Sequence, residues 1–123
     1  MTLPWLAMIL SWAGVAITLA LALSFLISPA FGMAQAQHRL ERLPRVMTDR
    51  YIAFVALALG AVLYDDLAVT AYLFAVFAFM GFADAVIYAR SGAPNWKHIA
   101  AGVAATIVAG VVFAAHNATG VLD

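Results

Sequence analysis

Cysteine is absent from the 123-residue chain, and charge is scarce: six Lys and Arg balance six Asp and Glu, together 10% of the composition. Without thiols there is no disulfide framework, no thiolate metal site and no cysteine nucleophile. A formal net charge of zero also lacks the basic footprint of a nucleic-acid binder. What fills the chain instead is apolar, with 67% hydrophobic residues and a mean hydropathy of +1.02. A soluble domain carries about 45–50% apolar and about 25% charged residues, and a chain this short cannot hide such an excess in one core. The composition predicts an integral membrane protein whose solvent is largely lipid.

A bilayer core of about 30 Å takes about 20 residues of helix at 1.5 Å per residue. Leu3 to Ile27 is an uncharged run of 25 residues, and Tyr51 to Tyr64 one of 14. Leu67 to Ala89 gives 23 residues with Asp84 as the single charge, and Ile99 to Ala115 gives 17 before His116. The breakers agree: Pro29 with Gly32 closes the first run, Pro44 opens the second, and Gly92 with Pro94 separates the third from the fourth. The expected fold is all-α, an antiparallel four-helix transmembrane bundle forming one domain over 1–123, with helices near 3–28, 45–64, 67–90 and 97–116 and a basic loop at 32–44. Ala34-Gln35-Ala36 has the form of a signal-peptidase site, but Met1-Thr2 carries no basic residue and the run is about twice signal length. The first helix is therefore read as a permanent anchor.

All six basic residues fall in two connections: Arg39, Arg42, Arg45 and Arg50 in the first, Arg90 and Lys97 in the third. The positive-inside rule makes both cytoplasmic. Both termini and the Asp65-Asp66 turn then face the other compartment, and a bacterial inner (plasma) membrane is the expected location. Trp96 and Tyr88 fall at the inner interface, Trp5 and Tyr64 at the outer. The fourth helix offers small residues for close packing: Ala101, Ala105 and Ala109, with Gly102, Thr106 and Gly110 beside them. The third offers Gly81 next to Asp84.

The second run spans only about 21 Å at the standard rise. Extending it back to Pro44 draws Asp49 and Arg50 into the cytoplasmic side of the bilayer, where an ionisable group costs at least about 2.5–3.5 kcal/mol unless paired, snorkelling or facing a polar cavity. Asp84 lies about 8 Å inside the third run by helix rise, and His98 begins the fourth. Arg50, Asp84 and His98 can therefore converge on one pocket. In it Arg50 is the natural ligand of an anion or carbonyl, with Asp49 or Asp84 as its partner. His98 is the acid/base, with Asp84, and Tyr51 and Tyr88 are hydroxyl donors. The plainer alternative is an Arg–Asp tie between helices, with His98 bonded to a backbone carbonyl.

Other polar residues carry weaker signals. His116 can ligate a pigment or haem, but no second His lies on that side. Asp65-Asp66 reads as a solvated turn rather than a Ca²⁺ cage, and no metal site is expected. Asp49-Arg50-Tyr51 matches a receptor signature without the seven-helix context that gives it meaning. Asn117-Ala118-Thr119 is a glycosylation sequon only in a eukaryotic secretory pathway. His38 to Arg50, basic and with Leu40, Leu43 and Met47 at helical spacing, can lie along the inner leaflet.

Phe31-Gly32 after the first helix, an Arg opening the second, a lone Asp late in the third and a His opening the fourth resemble a family of small four-helix membrane proteins of unknown function from bacteria and fungi. The likeness covers nearly the whole chain on short motifs. In that family Asp and then Gly follow the Arg, whereas here Tyr51 follows Arg50 and Val55 stands in the Gly position. The resemblance implies that Arg50, Asp84 and His98 form one site, without naming a reaction or cofactor. Signatures of small multidrug exporters, fluoride channels and glutathione-linked four-helix enzymes are missing.

Two functions follow. The first is a protein that binds, or isomerises or cyclises, an amphiphilic small molecule entering from the bilayer. The second is an accessory subunit of a larger membrane complex, motivated by the small extramembrane portion and by Tyr72, Phe74, Phe77, Phe79 and Phe82 on the third helix. A transporter or channel ranks third, for want of ionisable groups in the outer half beyond His116. Expected partners are the lipid bilayer, the amphiphile or the complex, and a second copy in a homo-oligomer; nucleic acid is not among them.

Overall fold

The structure is a computed structural model that describes residues 2–122, with side chains described through Thr119. Five α-helices follow in order: α1 (Leu3–Ile27), α2 (Pro29–Gln35), α3 (Leu43–Tyr64), α4 (Leu67–Arg90) and α5 (Trp96–Leu122), with a 3-10 turn at Leu40–Arg42 before α3. Among the described residues four stretches, Leu3–Ile27, Leu40–Tyr64, Leu67–Arg90 and Trp96–Thr119, are long and apolar enough to cross a membrane. The chain divides into two compact units, Met1–Arg50 and Tyr51–Asp123.

In the first unit α1 keeps its few hydroxyls satisfied within its own turns. Ser11 donates to the Ala7 carbonyl at 2.8 Å, Thr18 to Gly14 at 2.6 Å and Ser24 to Leu21 at 2.7 Å, the arrangement required where no water is at hand. The helix ends at Ser28, which is extended and turns its hydroxyl to accept from the Phe31 amide at 3.3 Å. Pro29 follows at the first position of α2, where its missing N–H costs nothing. Gly32 is buried against α1, and a Cβ there would run into the Phe25 ring. The segment expected as a loop from 32 to 44 thus contains the end of a short capped helix. It closes with Gln37 in the left-handed region (φ 58°), the Gln37 amide bonding to Ala34 and the His38 amide to Met33. These bonds satisfy carbonyls left open at a helix end. Arg39, Arg42, Arg45, Asp49 and Arg50 are all exposed.

The second unit holds the rest of α3 with α4 and α5. Asp65 takes the left-handed conformation (φ 56°) that ends α3, and the Asp66 carboxylate caps α4 by accepting from the Val69 amide at 3.1 Å. Adjacent carboxylates here serve a tight turn and a cap, for which Asp is among the favoured residues. Behind the turn the buried Thr70 hydroxyl donates to the Asp66 carbonyl at 2.8 Å and reaches the Ala61 carbonyl of α3 at 3.4 Å. Further along, Phe54 of α3 packs on Phe77 of α4 with ring centroids 5.5 Å apart.

Helices α4 and α5 form the close-packed pair. Ala71, Ala78 and Ala85 are buried on α4 at seven-residue spacing, together with Gly81. Such a repeat keeps one narrow seam turned toward a neighbouring helix, and small side chains let the backbones approach. On α5 the seam is Gly102 and Ala105, both buried, with Ala109 half-buried beyond them. The α4–α5 turn uses Gly92 in a left-handed conformation (φ 76°); the Gly92 amide bonds to Ala89 and the Ala93 amide to the Tyr88 carbonyl at 2.9 Å, a Schellman closure. Asn95 then starts α5, accepting from the His98 and Ile99 amides through its carbonyl. Its side-chain amide reaches back to the Ala85 carbonyl at 3.3 Å. The turn is fastened at both ends before the helices run past one another.

Candidate functional site

Gly81, Asp84, Ala85 and Tyr88 stand at i, i+3, i+4 and i+7 on one side of α4, and His98, Ala101, Gly102 and Ala105 repeat that spacing on α5. The two sides meet. A Cβ on Gly81 would lie 2.8 Å from the Gly102 nitrogen and 3.1 Å from the His98 carbonyl oxygen. Gly81 therefore permits a close approach to the α5 backbone, and a Cβ on Gly102 would meet the Phe82 ring, one turn from the polar side chains.

At that level His98 Nδ1 lies 3.8 Å from Asp84 Oδ2. The distance is too long for a hydrogen bond, and the contact is a charge pair when the imidazole is protonated. Among the described residues it is the one acid–base contact of this length, and no hydrogen bond ends on the Asp84 carboxylate. The other flank of His98 is covered by Tyr88, whose ring stacks on the imidazole at 4.8 Å between centroids and 14° between planes. One turn of α4 thus places a carboxylate and an aromatic face around a single imidazole of α5. The side chains remain accessible, His98 at 31% and Asp84 at 45% exposure.

Both groups open into a cavity of about 360 Å³, within the size range of small-molecule sites. Its wall is aromatic: Tyr51 and Phe54 from α3, Phe74 and Phe77 from α4. These rings form a chain of edge and tilted contacts, Tyr51 to Phe54 at 5.6 Å, Phe54 to Phe77 at 5.5 Å and Phe77 to Phe74 at 5.5 Å. The α5 side is smooth, built from Ala101, Ala104 and Ala105. The cavity is apolar along its length and polar at one end, the form expected of an amphiphile's binding site.

Of the residues singled out by sequence, the structure gathers Tyr51, Asp84 and His98 around this cavity, with Tyr88 behind the imidazole. Asp49 and Arg50 belong to the first unit, where both are exposed. His116 lines a different, apolar groove with Tyr72 and Phe113. Among the described residues no three His, Cys, Asp or Glu side chains come together as a metal-ligand set. Sequence reading missed Phe54 and Met80 as lining residues and counted Phe74 and Phe77 with the aromatics that motivate an accessory subunit. It also passed over Asn95, whose position just after Pro94 and at the start of a helix was the available signal.

Comparison with protein-family models, curated proteins and solved structures finds no match to this chain.

Proposed function

We propose that this protein crosses the membrane four times as an antiparallel bundle and binds an amphiphilic small molecule, the apolar tail along the aromatic wall and the polar head at Asp84 and His98. One observation carries the reading: the Asp84–His98 pair stands at the polar end of an otherwise apolar, aromatic-lined cavity. An imidazole can take a proton from one position of a bound molecule and return it to another, and a neighbouring carboxylate stabilises the imidazolium in between. Isomerisation or cyclisation of the ligand suits this pair, with His98 as acid/base and Asp84 as its partner. The ligand-binding roles of Asp49 and Arg50, and kinship with the uncharacterised four-helix family, belong to the proposal on sequence grounds alone.

The proposed orientation has both termini outside and the basic first and third connections in the cytoplasm of a bacterial inner membrane. Native mass spectrometry after gentle extraction tests the binding reading. A lipid-like small molecule should accompany the protein and be lost with His98→Ala or Asp84→Asn. A stoichiometric protein partner whose assembly ignores both substitutions would overturn it.

That outcome would favour the second reading, an accessory subunit. Tyr72 and Phe79 support it, being 74% and 71% exposed on α4. Three other aromatics of that helix are already engaged: Phe74 and Phe77 line the cavity, and the Phe82 ring lies where a Cβ on Gly102 would fall.

A further inference from the structure

The charge inventory of the cavity is one-sided. Among the described residues of the second unit, the lining contains Asp84 and His98 and no Lys or Arg. With His98 neutral the lining carries one negative charge; with His98 protonated it carries none. In neither state is it positive. An anionic head group would have to settle beside a carboxylate, a like-charge contact in a medium where such contacts are poorly screened. A cationic head group meets the opposite situation. No hydrogen bond within the protein occupies the Asp84 carboxylate among the described residues, and the 3.8 Å gap to His98 Nδ1 leaves its oxygens open.

The wall points the same way. Tyr51, Phe54, Phe74 and Phe77 all line the cavity that Asp84 enters. Ring faces attract a cation and do so more strongly where water is excluded. A carboxylate combined with several aromatic rings is the recognition chemistry of an organic ammonium, whereas an apolar tail alone would be served equally by Leu or Val.

From this juxtaposition we propose that the ligand of the α3–α4–α5 cavity is a lipophilic ammonium, its cationic nitrogen paired with Asp84 and its apolar part against the aromatic wall. The proposal rests on the small-molecule reading above, narrows it to one charge class and sets aside the anion-binding role suggested for Arg50, which is not among the lining residues.

The test uses the full chain in phosphatidylglycerol nanodiscs, which contain no ammonium lipid, with histidine labelled for NMR so that His98 reports directly. Decyltrimethylammonium, decanol and decanoate serve as chain-matched cationic, neutral and anionic probes. Decyltrimethylammonium should shift the His98 signal saturably and bind about tenfold more tightly than decanol, with decanoate weakest. Asp84→Asn should remove that advantage, weakening the cation about tenfold more than decanol. Phe77→Leu, which keeps an apolar side chain and removes one ring face, should weaken the cation several-fold more than decanol. Thermal unfolding of each variant confirms that the fold persists. Tighter binding of decanol or decanoate, or an unchanged ranking in Asp84→Asn, would overturn the ammonium assignment while leaving the small-molecule reading in place. Saturable binding by none of the probes would overturn both.

Discussion

Gly81 of α4 and Gly102 of α5 meet backbone to backbone, and the Asp84–His98 contact sits one turn further along the same seam. Packing and the polar contact are therefore coupled: the spacing that lets the carboxylate face the imidazole depends on the missing side chain of Gly81.

Alanine at Gly81 places a methyl group 2.8–2.9 Å from the Gly102 backbone, so the helices must part. Gly81→Ala should destabilise the protein by about 1–3 kcal/mol, the usual cost of overpacking, and weaken ligand binding with it. Gly14 and Gly60 provide the control, since a Cβ at either meets nothing within 4 Å. There alanine should be neutral or stabilising by up to about 1 kcal/mol, because glycine is a poor helix former. Thermal unfolding in a mild detergent compares the three.

Tyr88 contributes a ring face to His98. Tyr88→Phe should preserve the stacking and the His98 NMR signal, whereas Tyr88→Leu should move that signal and loosen the imidazole, at a cost of about 0.5–1.5 kcal/mol for the lost aromatic pair. If Tyr88→Phe moves the signal as far as Tyr88→Leu does, the hydroxyl rather than the ring is the working part of Tyr88.

Asn95 ties the start of α5 to the Ala85 carbonyl. Replacing it with Leu should cost about 1 kcal/mol, the net worth of a typical intramolecular hydrogen bond. Hydrogen exchange should accelerate at the amides of the α4–α5 turn first, with α1 unaffected.

Because the chain has no cysteine, each introduced thiol reports a single position. Gln37→Cys should label only from the cytoplasm and Asp65→Cys only from the opposite face. Labelling of Asp65→Cys from the cytoplasm would reverse the proposed orientation.

The four long apolar helices were legible because charge and breakers segment the sequence so sharply: Asp65-Asp66 and Gly92-Ala93-Pro94 interrupt otherwise continuous apolar stretches. Asp84 and His98 were legible for a related reason, since an ionisable residue within or beside an apolar run is conspicuous. Helix α2 was not, although Ser28-Pro29 forms the cap and first-position pair that opens it; the small residues that follow resemble a cleavage site instead. The aromatic wall was hidden for a deeper reason. In a segment where nearly every residue is apolar, Phe74 and Phe79 look alike, and only the direction of the seam decides that one lines a cavity while the other is exposed.

The tie between Asn95 and Ala85 has a consequence for biosynthesis. The acid and the imidazole of the cavity come from one stretch, Asp84 to His98, closed by a turn that supplies its own hydrogen bonds. Contacts this near in sequence form early and at little entropic cost. As the chain emerges from the ribosome, the acid, the ring and the imidazole can assemble within the nascent α4–α5 hairpin. The preceding helix then needs to bring only Tyr51 and Phe54 to complete the wall. A duplication, circular permutation or split of the chain between α3 and α4 should accordingly leave the Asp84–His98 contact intact and alter only the aromatic wall.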